Sequence, residues 1–456
     1  MGMTMVRTVV GRLRRRTLIS AAAIVAAAVL LAGGPARASY KPHRRHTVSH
    51  RHRNRYVRRT TGAAYHALLL EDAATGRILY DYNGGIQWPP ASMAKMMLLM
   101  VVEDQIKAGR FNLNSPVTIT AQAAFTGGSR LGLHAGHVVP LGELMKAALI
   151  RSANDAAVAV ADGVCGSTAR CVVLMNARAR GLGMTHTVYG TVEGLPPRPL
   201  HDADTTDAYD LATLARALIH HTNLLQWSGM ETAPFDDGAA MLHNTNHLIG
   251  HFEGCDGLKT GFTLKAGFNL TATAKRGNMR LIAVVLGAPS NGQRFVQAAK
   301  LLDWGFDNFE QVEVVKQGQL LPMHVRVGAD EVMQPMAQRT VTVIVRKKDA
   351  GSIKMDFAVP ASLYGPLASD QPVGQVIVRD HSEVLATFDA ISPFPVGQQP
   401  AAVGELNAPA TAVANEAGAS IRIAAPANQT AAPVPAIAAP MNAAAAPINQ
   451  IAAPAR

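Results

Sequence analysis

Short runs of apolar and alternating residues predict β-strands on both sides of a long central region. Residues 67–71 and 78–82 are typical of two early strands. Residues 268–274 and 281–287 are typical of two later strands, and the polar run 275–280 between them predicts a hairpin turn. The pattern therefore predicts a sheet built from strands that are far apart in sequence.

Longer apolar segments between these strands predict helices. Residues 93–102 have the apolar character of a buried helix, and the prolines at 89 and 90 suit a helix start better than a helix interior. Residues 144–160 predict a helix, a break near the sequence Arg-Ser-Ala-Asn and a second helix. Residues 295–306 predict a closing helix that packs on the sheet.

The pattern changes after residue 307. Alternating runs at 311–315, 339–346 and 375–379 predict a small domain built of β-strands. We therefore divide the central region into a first domain of helices and strands at 64–306 and a small β-rich domain at 308–396.

Both ends of the chain differ from this central region. Four arginines within residues 12–16 precede an apolar stretch at 18–31 and a small-residue cleavage site at 36–38, which predicts a signal peptide over 1–38 and an exported protein. The alternative is an uncleaved anchor, although the stretch is short for a membrane span. Residues 398–456 are rich in Ala and Pro, so we expect a tail that forms no packed core. We also expect no basic amphipathic anchor helix in this tail.

Positive charge is concentrated near the N-terminus. The chain has a formal net charge of +11, and residues 1–59 hold fourteen of its 43 Lys and Arg residues and no acidic residue. Residues 39–63 alternate Arg and His, and we expect a disordered arm. This arm is either a solvated spacer or, through residues 41–59, a contact with anionic surfaces of the cell envelope. We expect no nucleic-acid partner for an exported protein.

Three short motifs carry candidate chemistry: Ser92-Met-Ala-Lys95, Ser152-Ala-Asn154 and Lys259-Thr260-Gly261. A serine hydroxyl is a poor nucleophile without an adjacent base. If Ser92 lies in the first turn of a helix, Lys95 is on the same face and within reach. A lysine acts as a base only when it is neutral, and burial or a second cation lowers its pKa.

The second motif falls at the predicted helix break, where side chains can project into a cleft. Ser152 would carry a proton to the departing amine. Asn154 would hold Lys95 in place and bond the substrate backbone.

The third motif is typical of a strand. The Lys259 ammonium and the Thr260 hydroxyl suit a terminal carboxylate, and the ammonium is also a candidate for the second cation. Gly261 would let a substrate backbone lie against the strand. The backbone N–H groups of Ser92 and Phe262 are candidates for an oxyanion hole.

Each motif alone is a weak signal, because Ser-x-x-Lys is more often a helix surface, Ser-Ala-Asn a turn and Lys-Thr-Gly a strand end. All three in this order predict an enzyme that attacks an amide through an acyl-serine.

From about residue 64 to 397 the chain resembles the D-alanyl-D-alanine carboxypeptidases, which are low-molecular-mass penicillin-binding proteins with the serine β-lactamase fold. The resemblance rests on four segments: 89–95, 151–157, 175–186 and 256–263. It implies an α+β fold, with a β-lactamase/transpeptidase-like catalytic domain (an antiparallel sheet flanked by helices, plus a helical subdomain) followed by a small all-β domain.

The resemblance also implies the roles of the motif residues. Ser92 would be the acylated nucleophile, Lys95 the base, Ser152 and Asn154 the second catalytic motif, and Lys259 the carboxylate clamp. The expected substrate is a peptidoglycan stem peptide ending in D-Ala-D-Ala, with β-lactam antibiotics as covalent inhibitors and no cofactor or metal. The expected location is the periplasm or cell envelope. Two alternatives stay open: a D,D-endopeptidase that cleaves cross-links, and a penicillin-binding scaffold without turnover.

Residues 189–201 depart from the family pattern, because they lack the Asn-Pro-type loop that members often have there. Class A β-lactamases use an additional glutamate to deacylate the serine. Glu193 and Glu231 are the acidic candidates between the second and third motifs, and neither has the sequence context of that glutamate. We therefore expect a long-lived penicillin ester and not efficient penicillin hydrolysis.

The chain has three cysteines. Cys165 and Cys171 flank a predicted link between helices, and they are either a small disulfide or two buried thiols. Cys255 precedes the third motif and is predicted to be a small core residue, since no histidine context makes it a nucleophile.

Overall fold

The computed structural model describes residues 65–196, 203–328, 331–364, 366–396 and 421–422. The predicted signal peptide, the basic arm and, apart from residues 421–422, the Ala/Pro-rich tail lie outside this part of the chain. Within it, no single helix combines the length and the apolar composition needed to cross a bilayer.

A five-stranded antiparallel sheet forms the centre of the first domain. Its strands are β1 (Ala67–Asp72), β2 (Ile78–Tyr82), β3 (Cys255–Thr263), β4 (Gly267–Arg276) and β5 (Met279–Ala288). Their order is β2-β1-β5-β4-β3, so the early hairpin joins the later strands through the pairing of β1 with β5. The four strands predicted from the sequence lie within these elements. Strand β3, which carries the third motif, lies at one edge.

Helices cover the sheet on both faces. The longer helices are α1 (Ala94–Lys107), α2 (Asn154–Cys165), α3 (Thr168–Gly181), α4 (Ala208–His221) and α5 (Asn291–Asn308). The shorter helical elements are Ala91–Met93, Ala121–Ala124, Leu141–Lys146, Ala147–Arg151 and Leu225–Ser228. There are also two small antiparallel sheets of two strands each among the described residues. One pairs Pro116–Thr118 with Val138–Pro140, and the other pairs Thr232–Phe235 with Ala240–His243.

Two hydrophobic cores lie on opposite faces of the sheet. On one face, every residue of α1 from Ala94 to Val102 is buried in a large cluster shared with α2 and α4. On the other face, α5 packs over the sheet through a second cluster that includes Leu301 and Phe306. Because α1 is buried nearly all round, its sequence shows an apolar run and not a one-sided stripe.

The region after α5 has a core of its own. Its strands are Phe309–Val315, Val325–Val327, Glu331–Met333, Met336–Ala337, Val341–Arg346, Ile353–Ala358, Ser362–Leu363, Pro372–Asp380, Glu383–Ile391 and Ile421–Arg422. A short 3-10 helix spans Lys347–Ser352. The alternating runs predicted this β-rich character. The strand in the run 339–346 begins at Val341, two residues later than predicted. Helix α5 extends to Asn308, so the predicted boundary at 306–308 falls in its last turn.

Cys165 and Cys171 form a disulfide, which resolves the alternative that the sequence left open. The link between α2 and α3 is shorter than the predicted one, because the Ser167 side chain accepts a hydrogen bond from the Arg170 N–H and begins α3 at Thr168. Cys255 is a free, half-buried thiol whose pKa burial raises to about 11, as expected of an unreactive cysteine.

Candidate active site

The Lys95 ammonium connects the first motif to two other parts of the chain. Its Nζ donates to Ser92 Oγ at 3.0 Å, to Asn154 Oδ1 at 2.7 Å and to the Glu193 carbonyl oxygen at 2.8 Å. The side chain is fully buried. With three acceptors for three N–H bonds, the amine is held in one position beside the serine hydroxyl.

The sequence suggested a position for Ser92 in the first turn of an α-helix, and the structure differs from this expectation. Ser92 lies in the 3-10 turn Ala91–Met93, and α1 begins at Ala94. The reason is local: Ala91 has a φ of +51°, a left-handed conformation that a regular helix cannot include. The spacing of three residues still brings Lys95 to the serine, because a 3-10 turn places residues i and i+3 on the same side.

Gly194 lets a neighbouring loop approach the turn Ala91–Met93, which we call the serine turn. Its φ is +82°, and a Cβ at this position would lie 1.9 Å from the Ala91 carbonyl oxygen. A glycine is therefore required at this point. The contact explains how the preceding residue, Glu193, presents its carbonyl to Lys95.

Burial lowers the pKa of Lys95 to about 7, against an opposing effect of the Glu193, Asp204 and Asp155 carboxylates. A large fraction of this amine is therefore neutral near pH 7, as a general base requires. The sequence suggested Lys259 as a cation that lowers this pKa, but burial alone lowers it, and Lys259 is not among its causes. The pKa of Lys259 is itself lowered well below its usual range by burial, by the Lys95 ammonium and by Arg294.

The second motif lies where two helical segments meet. Ser152 lies between the helical segment Ala147–Arg151 and α2, and its side chain is buried. Its backbone has a left-handed conformation, with a φ of 62°. Asn154 Nδ2 donates to the Gly127 carbonyl at 2.7 Å, which turns its Oδ1 towards Lys95. Within the described residues, the hydrogen bonds of Lys95 reach Asn154 but not Ser152. The Asn154 amide is thus used chiefly inside the protein, whereas the sequence suggested a contact with the substrate backbone.

The third motif lies on the edge strand β3, next to the serine turn. A Cβ at Gly261 would be 2.6 Å from the Pro90 carbonyl oxygen, so the absence of a side chain lets the strand pack against this turn. Lys259 is buried, and its Nζ donates to the Thr260 carbonyl at 2.9 Å. The Thr260 hydroxyl donates to Thr245 Oγ1 at 2.8 Å.

Phe262 follows the third motif at the exposed end of β3. Its side chain is 47% exposed and stacks on Phe268 with ring centroids 4.4 Å apart. Among the described residues β3 pairs with β4 alone, and at Gly261 it packs against the segment that carries Ser92.

Sequence reasoning missed a polar network that joins the serine turn to β3. Buried Asn269 donates from Nδ2 to the Pro89 carbonyl at 2.9 Å and accepts from the Gly287 N–H at 2.8 Å. Buried Arg294 donates to the carbonyls of Gly261 and Asn269, both at 3.1 Å. Asn269 lies 180 positions after Pro89 in the sequence, and no local pattern marks either Asn269 or Arg294.

We expect Asn269→Ala to destabilise the protein by about 2–4 kcal/mol, because it leaves a partly buried carbonyl and a buried N–H without this partner. Urea denaturation measures the loss. The matched control is Asn112→Ala, since Asn112 accepts a backbone N–H in an exposed loop and should cost less than about 1 kcal/mol. Equal losses in the two variants would contradict the role assigned to the buried network.

Comparisons with known proteins identify the family of this chain. Residues 54–290 match the family described as D-alanyl-D-alanine carboxypeptidase. The chain is 31% identical over 336 residues to D-alanyl-D-alanine carboxypeptidase DacF of Bacillus subtilis, covering 72% of this chain and 85% of the relative. It is 34% identical over 319 residues to D-alanyl-D-alanine carboxypeptidase DacC of Escherichia coli, covering 68% of this chain and 78% of the relative.

Solved structures give the same result for the fold. Penicillin binding protein 5 from Haemophilus influenzae is 28% identical, with a TM-score of 0.66 over 73% of this chain and 97% of that one. Penicillin-Binding Protein D2 from Listeria monocytogenes in its ampicillin-bound form is 29% identical, with a TM-score of 0.50 over 54% of this chain and 99% of that one. The α+β, transpeptidase-like fold that the resemblance implied is therefore confirmed, and the chain belongs to the D-alanyl-D-alanine carboxypeptidase family of low-molecular-mass penicillin-binding proteins.

Proposed function

We propose that this protein is a serine-type D-Ala-D-Ala carboxypeptidase that removes the terminal D-alanine from peptidoglycan stem pentapeptides. The observation that carries the proposal is the fully buried Lys95 amine, which lies 3.0 Å from Ser92 Oγ and has a pKa of about 7. Membership of the family supports the substrate class. The reaction belongs in the cell envelope, where peptidoglycan is found.

Acylation begins when neutral Lys95 accepts the proton of the Ser92 hydroxyl. The serine oxygen then forms a bond to the carbonyl carbon of the penultimate D-alanine. The backbone N–H groups of Ser92 and Phe262 stabilise the negative charge that develops on the carbonyl oxygen.

The C–N bond to the terminal D-alanine breaks next, and its nitrogen receives, through Ser152, the proton that Lys95 took from Ser92. Free D-alanine leaves, and an ester on Ser92 remains. Water then attacks this ester, with Lys95 again as the base, and releases the shortened peptide and the serine.

Lys259 supplies positive charge for the carboxylate of the terminal D-alanine. Its ammonium is buried against β3 and bonds only the Thr260 carbonyl among the described residues. A substrate carboxylate would favour the protonated form that Lys95, Arg294 and burial disfavour in the free enzyme.

Penicillins act as covalent inhibitors in this proposal, by acylating the same serine. A solved relative carries ampicillin. We keep the expectation that the penicillin ester is long-lived.

The β-rich domain at 308–396 is proposed to hold the catalytic domain away from the membrane or to contact partners. The basic arm, which lies outside the described residues, is proposed to rest on anionic envelope surfaces.

The main test is incubation of the purified protein with a stem pentapeptide and, separately, with a cross-linked peptide dimer. Release of free D-alanine from the pentapeptide supports the carboxypeptidase. Cleavage of the dimer without D-alanine release would identify an endopeptidase instead. Penicillin binding without turnover of either substrate would identify a scaffold.

We expect the second-order rate constant for penicillin acylation to fall about tenfold for each pH unit below 7 and to level off above it. Lys95 has a pKa of about 7, so it becomes protonated below this pH and cannot accept the serine proton. Stopped-flow measurements between pH 5 and 9 test the dependence. A rate that stays constant down to pH 5 would rule out Lys95 as the titrating base.

We expect Lys259→Ala to slow the reaction of peptides with a free terminal carboxylate about 100-fold or more, and that of the corresponding amides much less. The comparison of kcat/KM for the two substrates isolates the charge interaction from general damage to β3. Lys265→Ala is the matched control, because this lysine is an exposed residue in the turn after β3. Equal losses for acid and amide substrates would argue against the clamp.

A further inference from the structure

Three side chains outside the active site lie close enough together to bind one metal ion. They are His186, Asp207 and Asp210, and one ligand atom from each lies within 4.8 Å of the others. His186 Nδ1 is 2.9 Å from Asp207 Oδ2. Both carboxylates are buried, whereas the imidazole is 36% exposed, so an ion could reach the cluster from solvent.

The second oxygen of Asp207 contacts only the His186 imidazole among the described residues. Asp207 is the N-cap of α4, and its Oδ1 accepts from the Asp210 N–H at 2.8 Å. Its Oδ2 is fully buried and lies 2.9 Å from His186 Nδ1, which can donate to it only when this nitrogen carries a proton. When Nδ1 carries none, a buried carboxylate oxygen faces a nitrogen lone pair, and a cation between the two atoms would satisfy both.

Hydrogen bonds from the described residues reach one oxygen of the Asp210 carboxylate. Its Oδ2 accepts from the His186 N–H at 2.9 Å and from the Thr187 hydroxyl at 2.7 Å. These bonds hold the backbone of residue 186 against α4. The two neighbouring carboxylates repel each other, a repulsion that adds to the effect of burial in raising the pKa of Asp207 to about 6.

We propose that His186, Asp207 and Asp210 form a Zn²⁺ site. Ligand atoms bound to one zinc ion at about 2 Å lie roughly 3 Å apart, which agrees with the 2.9 Å between His186 and Asp207. One imidazole and two carboxylates suit Zn²⁺ better than Mg²⁺ or Ca²⁺, which prefer oxygen ligands alone. Zinc is usually four-coordinate, so a water molecule would complete the site.

The ion would join α4 to the segment that supports the catalytic lysine. This segment starts at His186, is held at Tyr189 by two hydrogen bonds with Asn176, and ends at the Glu193 carbonyl that binds Lys95. The site is therefore structural, and the proposal does not depend on the substrate of the enzyme.

The test is a Zn²⁺ titration of the full-length protein and of two variants, followed by calorimetry and thermal melting. Asp207→Asn removes the charge but keeps the helix cap, because Asn is as good an N-cap as Asp. His186→Gln changes a partly exposed ring. The histidine-rich arm can also bind Zn²⁺, but it is the same in all three proteins, so the difference between them reports the proposed site.

We expect the wild type to bind one more Zn²⁺ than either variant. At free Zn²⁺ about 100-fold above the dissociation constant, its melting temperature should rise by roughly 5 °C more than theirs. The proposal is overturned if all three proteins bind the same number of ions with equal melting shifts, since His186 and Asp207 would then be a simple ion pair. It is also overturned if Mg²⁺ stabilises the wild type as much as Zn²⁺ does.

Discussion

Ser92→Ala should abolish both D-alanine release and labelling by a fluorescent penicillin, with a loss of at least about 10⁴-fold in kcat. The substitution removes the hydroxyl that Lys95 contacts, because its other two acceptors among the described residues are the Asn154 amide and the Glu193 carbonyl, which carry no proton to give. Intact-protein mass spectrometry and peptide mapping of the wild type should place the adduct on this serine.

The matched control is Ser115→Ala. Ser115 is a partly exposed serine outside the three motifs, and its hydroxyl accepts the Asn112 N–H in a loop. This variant should keep wild-type labelling. A penicillin adduct on another side chain, or unchanged labelling of Ser92→Ala, would overturn the proposed mechanism.

Lys95→Ala should reduce the rate of penicillin acylation by about 10³- to 10⁴-fold. The variant loses the base, and it also leaves Asn154 Oδ1 and the Glu193 carbonyl without their donor. Lys95→Arg should not restore the rate, because a guanidinium stays protonated and cannot accept the serine proton. The second-order rate constant with penicillin measures both variants.

Lys107→Ala serves as the control on the same helix. Lys107 lies in the last turn of α1, is exposed and donates to the His221 carbonyl. Its removal should leave acylation unchanged. Recovery of activity in Lys95→Arg would show that the residue acts through its positive charge and not as a base.

The secondary structure near the site was largely predictable because the signals are local. The strands around residues 70 and 280 and the apolar helix after Ser92 follow from patterns within ten residues or so. The spacing of Ser92 and Lys95 also survives the change from an α-helical to a 3-10 turn, since both bring residues three apart together. The left-handed Ala91 that causes this change has no signal in the sequence.

The partners of these residues could not be predicted, because they come from distant parts of the chain. Nothing in the sequence around Glu193 indicates that its carbonyl would bind Lys95. The one signal in this loop is its departure from the family pattern. Likewise, the sequence suggested that Gly261 makes room for a substrate, whereas the packing shows that it makes room for Pro90.

The sequence by itself determined the reactive groups of this protein, their order and the helices and strands that carry them, because these depend on residue type and short-range periodicity. Only the tertiary structure decided how reactive those groups are. The pKa of Lys95 is lowered mainly by its removal from water, and this burial exists only once α1, the Asn154 helix and the Glu193 loop pack together. The disulfide and the Asn269 network depend in the same way on distances that folding alone sets.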